Sequence, residues 1–198
     1  SERIATAMLY AIKSDTLFLS RQTNRIDLEA FTFLYPLADA ALVRKIEGSE
    51  ITLERLQFVA RAVQTGRHQD QVFAAHLGRS PLEGLISYVA DYLLQVEDVK
   101  WSIVSGMVND DLVVSVRNLG YSRNAGGFVK QWFDDIGSAG GHRAMAKAVV
   151  PIDAFTRTFG HLEGPEISEL LADLASQFLR EASCSERRRS TMRQVAGR

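Results

Sequence analysis

Val99 to Met107, Val108-Asn109-Asp110-Asp111 and Leu112-Val113-Val114-Ser115-Val116-Arg117 decide the fold class. Two runs rich in Val and Ile flank a short polar segment whose Asn and Asp favour a turn, which is a β-hairpin pattern. In the second run the period of two sends Leu112, Val114 and Val116 to one face, and Val113, Ser115 and Arg117 to the other. Upstream, Val72 to Leu77 favours a strand. Ser80-Pro81-Leu82-Glu83 then reads as a capping box with proline at the first helical position. The helix it opens places Leu82, Leu85, Ile86, Val89, Leu93 and Val96 on one face. Downstream, Gly126 to Ile136 has helical spacing, Ala144 to Val150 reads as a strand stopped by Pro151, and Pro165 to Glu181 repeats an amphipathic helical pattern. Strands interleaved with helices predict a small α/β domain with a mixed sheet over residues 71–182.

The first 65 residues read as helical. Ile4 to Ile12 is apolar almost all round, as in a buried helix, and ends in Lys13-Ser14-Asp15-Thr16. A second helix starts near Asp27 and meets Pro36, a third piece runs from Ala38 to Ile46, and Thr52 caps a fourth with Leu53, Leu56, Val59, Ala60 and Val63 inward. Residues 66–70 read as a linker, and 183–198 as a basic flexible tail carrying Arg187-Arg188-Arg189.

With 46% hydrophobic and 24% charged residues, the chain lies outside the disordered and fibrous classes. Of 23 basic and 24 acidic residues, five Arg and two Glu fall in the last 18 positions, leaving the body mildly acidic. That argues against a broad basic face gripping long duplex nucleic acid, and leaves a short anionic ligand open. The single Cys184 excludes an intrachain disulfide and a cysteine zinc cluster, and no apolar run reaches bilayer length. These features predict a cytoplasmic protein without a membrane segment.

Three places carry candidate chemistry. Gly137-Ser138-Ala139-Gly140-Gly141-His142 offers glycines for close backbone approach, either as an anion nest with His142 at the rim or as a tight helix-to-strand connection. Arg117 either clamps a phosphate bidentately or pairs with Asp110 or Asp111. Asp15 is either a metal ligand or a local turn former.

The stretch Ala5-Thr6-Ala7-Met8-Leu9-Tyr10-Ala11-Ile12-Lys13-Ser14-Asp15-Thr16 resembles the fourth motif of DHH-family phosphoesterases, the RecJ-like and nanoRNase enzymes. Ser115-Val116-Arg117 and Gly140-Gly141-His142 resemble the two signatures of the substrate-binding domain associated with that family. Gly137 to Lys147 is similar to its exopolyphosphatase-related subgroup. The resemblance implies a helical remnant of the DHH domain followed by the associated domain. It implies Asp15 as one ligand of a two-metal manganese centre, and Ser115, Arg117, Gly140, Gly141 and His142 as substrate-binding residues. In such a centre the ions position an in-line water and stabilise charge on the attacking and leaving oxygens. The substrate class implied is a short nucleic acid or a related phosphoester. The other metal motifs, the Asp-His-His triplet included, are expected upstream of Ser1, so no complete catalytic set is expected within the chain. A remnant without its parallel sheet leaves Leu9, Phe18 and Phe31 underburied, which predicts a homo-oligomer. The rival reading is a non-catalytic nucleic-acid-binding module like the domain that follows alanyl-tRNA synthetase catalytic regions.

Overall fold

The structure, a computed structural model, describes residues 1–16, 19, 23–49, 51–80, 82–120 and 123–196, with side chains for all but 49 and 182–196. Among these residues the chain forms eight helices and a six-stranded mixed sheet. Phe18 and Pro81, and the side chains of Arg187 to Arg189, lie outside the described set.

Helices α1 (Glu2–Asp15), α2 (Arg25–Leu34), α3 (Ala40–Ser49) and α4 (Leu53–Thr65) open the chain. The starts of α2, α3 and α4 follow local capping chemistry. Asn24 and Asp27 form a reciprocal box at α2, Asp39 Oδ1 accepts from the Ala41 and Leu42 N–H groups, and Thr52 Oγ1 accepts from Arg55 N. A small core of Ala5, Leu9, Leu34 and Val43 joins α1 to α3. Leu9 is therefore buried, contrary to the expectation of an underburied face, because α2 and α3 close over it without a sheet. Phe31 is half-buried and stacks on Tyr35 at 5.7 Å. Helix α1 is not buried all round either: Ala5, Thr6 and Leu9 face inward while Ile4 and Met8 are exposed.

Helix α4 leaves this cluster and packs on the α/β part, where Val59 and Ala62 meet the core of Ala75, Leu77, Ile86 and Val89. Contact with the sheet turns its buried stripe away from the expected one, so Leu53 and Val63 are exposed.

Strands β1 (Arg67–Gln69), β2 (Val72–Arg79), β3 (Trp101–Val108), β4 (Asp111–Asn118), β5 (Ser138–Gly141) and β6 (Met145–Pro151) lie in the order β1-β2-β3-β4-β6-β5. Only β2 and β3 pair in parallel, since helix α5 (Glu83–Leu93) carries the crossover between them. The expected hairpin is β3–β4, with Asn109 at φ +54 in its turn. Residues 67–69, expected as linker, instead form the edge strand β1, whose backbone satisfies the outer edge of β2. Residues 138–141, expected as a connection, form the opposite edge strand against β6. Helix α5 starts at Glu83, two residues after the proline expected to open it. Ser80 Oγ donates to the Leu82 carbonyl rather than capping the first turn. Leu82 and Val96, expected on its apolar face, are exposed.

Helices α6 (Ala125–Phe133), α7 (Ile152–Phe159) and α8 (Gly164–Ala196) cover the other sheet face. There Trp101 and Phe178 meet edge to face at 6.1 Å within a core that includes Val114, Val116, Ala146 and Ala148. The α8 backbone continues as helix to Ala196, where a flexible tail was expected from 183. On β2, the His76 N–H donates to Ser168 Oγ of α8 at 2.9 Å, and its Nδ1 lies 2.9 Å from Ser105 Oγ of β3.

Candidate phosphate-binding site

The α5 face of the sheet carries a polar seam. Glu83, Ser87 and Asp91 recur every fourth residue, so they line one flank of α5. Each meets a sheet residue: Glu83 Oε2 is 2.8 Å from Lys147 Nζ on β6, Ser87 Oγ is 3.3 Å from Ser115 Oγ on β4, and Asp91 holds Arg117 on β4.

Arg117 is the most fixed of these groups. Its Nε donates to both Asp91 oxygens, at 3.0 and 3.1 Å, and its Nη1 donates to Ser115 Oγ at 2.9 Å and to the Val116 carbonyl at 3.1 Å. Its side chain is only 12% exposed, and among the described residues no hydrogen bond engages Nη2. The expected alternative pairing with Asp110 or Asp111 does not occur. Asp111 and Arg117 stand six positions apart on extended β4, about 20 Å.

Two rows then cross the sheet on this face. Ser115 pairs with Lys147, and Lys147 with Gly140; Arg117 pairs with Met145, whose carbonyl accepts from the His142 N–H at 2.8 Å. Of the residues expected to bind substrate, Ser115, Arg117 and Gly140 thus share one face and one end of the sheet, whereas Gly141, opposite Ala146, falls in the phase of the α6–α8 face. They are not neighbours, however: β6 lies between β4 and β5, which sets Arg117 and Gly140 on strands about 10 Å apart. His142 is exposed, with Nδ1 accepting from Ala144 N at 3.4 Å.

The two glycines differ. A Cβ on Gly140 would meet nothing within 4 Å, so the face above it is open. At Gly141, with φ +151, a Cβ would lie 2.4 Å from the Ala146 Cα and the Met145 carbonyl oxygen. The missing side chain there serves the hairpin itself rather than approach to an anion. The N–H groups of Ala125 and Gly126 bond the Arg143 and His142 carbonyls, which ties this turn to the start of α6.

On the outer side of α5 a cavity of about 380 Å³ separates it from the N-terminal helices. Ser14 of α1, Glu47, Arg55, Ser87, Tyr88 and Asp91 are among its lining residues, and Arg55 lies 4.7 Å from the Tyr88 ring centre. The residue before Asp15 and the partner of Arg117 therefore border one cleft. Asp15 itself is an exposed carboxylate, and no group of three or more His, Cys, Asp or Glu stands together among the described residues. These residues do not form a metal centre by themselves. Among the described residues no helix is long and apolar enough to cross a membrane.

Sequence reasoning missed Asp91, Ser87, Glu83 and Lys147. The four-residue recurrence in α5 carried the signal for the first three. Lys147 was marked as the one charge within the otherwise apolar Met145-Ala146-Lys147-Ala148-Val149-Val150.

No family model matches the chain. An uncharacterized protein of Methanocaldococcus jannaschii is 31% identical over 156 residues, 78% of this chain and 32% of that protein. The chain thus spans about a third of the length of that relative. Among solved structures, an exopolyphosphatase-related protein from Bacteroides fragilis matches 86% of this chain and 47% of its own length, with a TM-score of 0.61 at 13% identity. The C-Ala domain of Aquifex aeolicus alanyl-tRNA synthetase matches 55% of this chain and 96% of its own, at 15% identity and a TM-score of 0.40. The α/β architecture is that of the exopolyphosphatase-related structure, a likeness of fold.

Proposed function

We propose that this chain is the substrate-binding portion of a metal-dependent phosphoesterase acting on short oligonucleotides or related small phosphoesters, with the α/β domain gripping a substrate phosphate. The observation that carries this is the guanidinium of Arg117. Asp91 and Ser115 hold it in a fixed plane, with Nη2 left over, on the face where Gly140 is open. An Nη2 held in a fixed plane before the ligand arrives is suited to donate to a phosphate oxygen. The likeness of fold to an exopolyphosphatase-related protein and the motifs around Asp15, Arg117 and His142 support the same reading. In this reading Asp15 contributes one ligand to a divalent centre, manganese in the family the motifs resemble, and among the described residues no group of three or more His, Cys, Asp or Glu completes it.

Calorimetric titration of a 5′-phosphorylated dinucleotide tests the grip. Arg117→Ala is expected to weaken binding by about 1.5–3 kcal/mol, the range for a hydrogen bond to a charged group. Equal affinities for wild type and variant remove the site.

The isolated chain is also expected to give no phosphoester turnover with manganese, since a single carboxylate does not hold two divalent ions against water. An assay on a dinucleotide and an aryl phosphoester checks this. Activity that survives repurification and disappears in Asp15→Ala contradicts it.

A further inference from the structure

We propose that Lys147 is a second cation of the phosphate site, recruited from Glu83 when a ligand binds; this rests on the reading above. The strand register carries the assignment. Lys147 is directly opposite Ser115 on one side and Gly140 on the other, and Arg117 is its diagonal neighbour across β4 and β6. Diagonal positions lie about 7–8 Å apart, within reach of two long side chains converging on one phosphate. The interposed strand that separates Arg117 from the glycine hairpin is therefore where this ammonium stands.

Its surroundings leave it available. The neighbours Ala146 and Ala148 turn into the core against α6 and α8, so the period of two delivers Lys147 to the opposite face, beside the open space over Gly140. Lys147 and its partner Glu83 are 48% and 46% exposed. An exposed pair of this kind contributes little, so exchanging the carboxylate for a phosphate costs little. Glu83 is not stranded by the exchange, because it sits in the first turn of α5, where the helix N-terminus favours negative charge. Arg117 by contrast is held in place by a carboxylate and a buried hydroxyl. The site therefore combines one fixed cation with one mobile cation.

The test is titration of 5′-phosphorylated diadenylate into the full chain at several salt concentrations. Lys147→Ala is expected to weaken binding about tenfold, and to lower the salt slope by about 0.7–0.9, the loss of one phosphate contact. Lys147→Arg is expected to keep most of the affinity. Glu83→Gln is expected to tighten binding about two- to fivefold by releasing the ammonium. Lys147→Met, which keeps the apolar stem, separates charge from packing, and unchanged thermal melting shows that the fold is intact. If Lys147→Ala and Lys147→Met bind within twofold of wild type with the same salt slope while Arg117→Ala does not bind, the role of Lys147 is overturned and the phosphate site stands. A Glu83→Gln variant that binds more weakly overturns the exchange. If wild type does not bind, or Arg117→Ala binds as wild type does, the phosphate-site reading fails and takes this one with it.

Discussion

Gly140→Val keeps the fold and loses the ligand, whereas Gly141→Val loses the fold: adjacent positions, opposite consequences. At Gly140 the new side chain enters open space on an edge strand, where a β-branched residue is well suited. Its two methyl groups occupy the face between Lys147 and the site rim, so thermal melting is expected within a few degrees of wild type while dinucleotide binding falls more than about tenfold. At Gly141 the first carbon already collides with backbone on β6 at 2.4 Å, in a region of φ that side chains rarely adopt. Neither obstacle is the movable end of a side chain, so the hairpin must open. A destabilisation of about 3 kcal/mol or more is expected. Chemical denaturation of both variants, with dinucleotide titration of Gly140→Val, checks the pair. Equal stabilities would mean that the β5–β6 turn is not built as described.

The second large effect is on stability against pH. Burial lowers the pKa of His76 from 6.5 to about 4. The unfolded chain takes up a proton near pH 6.5 that the folded chain refuses until about pH 4. The unfolded state thus binds more protons throughout that window, and stability falls as the pH is lowered through it, by about 3 kcal/mol in all. Above 6.5 and below 4 this group adds no slope. Urea unfolding of wild type and His76→Gln from pH 7.5 to 4 isolates the effect, since carboxylate titration is common to both. The variant is expected to be less stable at pH 7.5, having lost the Ser105 contact, and to close the gap as the pH falls. A constant gap across the range would show that His76 does not titrate differently in the two states.

Several elements were legible because their determinants are local. The β3–β4 hairpin follows from Asn109-Asp110 between alternating apolar runs, and α6 from the spacing of Phe128, Val129 and Phe133. Strand β5 was not legible: Ser138-Ala139-Gly140-Gly141 contains no strand-forming side chain, and only the edge of β6 makes it extended. Helix α7 was missed because it follows Pro151 directly and has only Phe155 fully buried. For the site, periodicity placed Arg117 on one face with Ser115, but it assigned no face to the Gly140–His142 segment, and which carboxylate holds Arg117 depends on how α5 lies over β4. That is a tertiary fact. The same holds for Lys147, whose position between the two motifs follows from β6 entering the sheet between β4 and β5.

The seal on β2 has a consequence for the order in which this chain becomes a protein. Its α6–α8 face is closed by the last helix, through the bond from His76 to Ser168, 92 residues apart, and the packing of Trp101 against Phe178. During vectorial synthesis β2, β3 and β4 emerge with Val72, Ala74 and Trp101 still lacking that cover. Only when residues near Phe178 have left the ribosome does the sheet gain its second layer. Contacts of such sequence separation are made late and slowly. Completion of this domain therefore waits on the stretch of α8 around Ser168 and Phe178, and until that stretch is made its apolar face is exposed to whatever else is nearby.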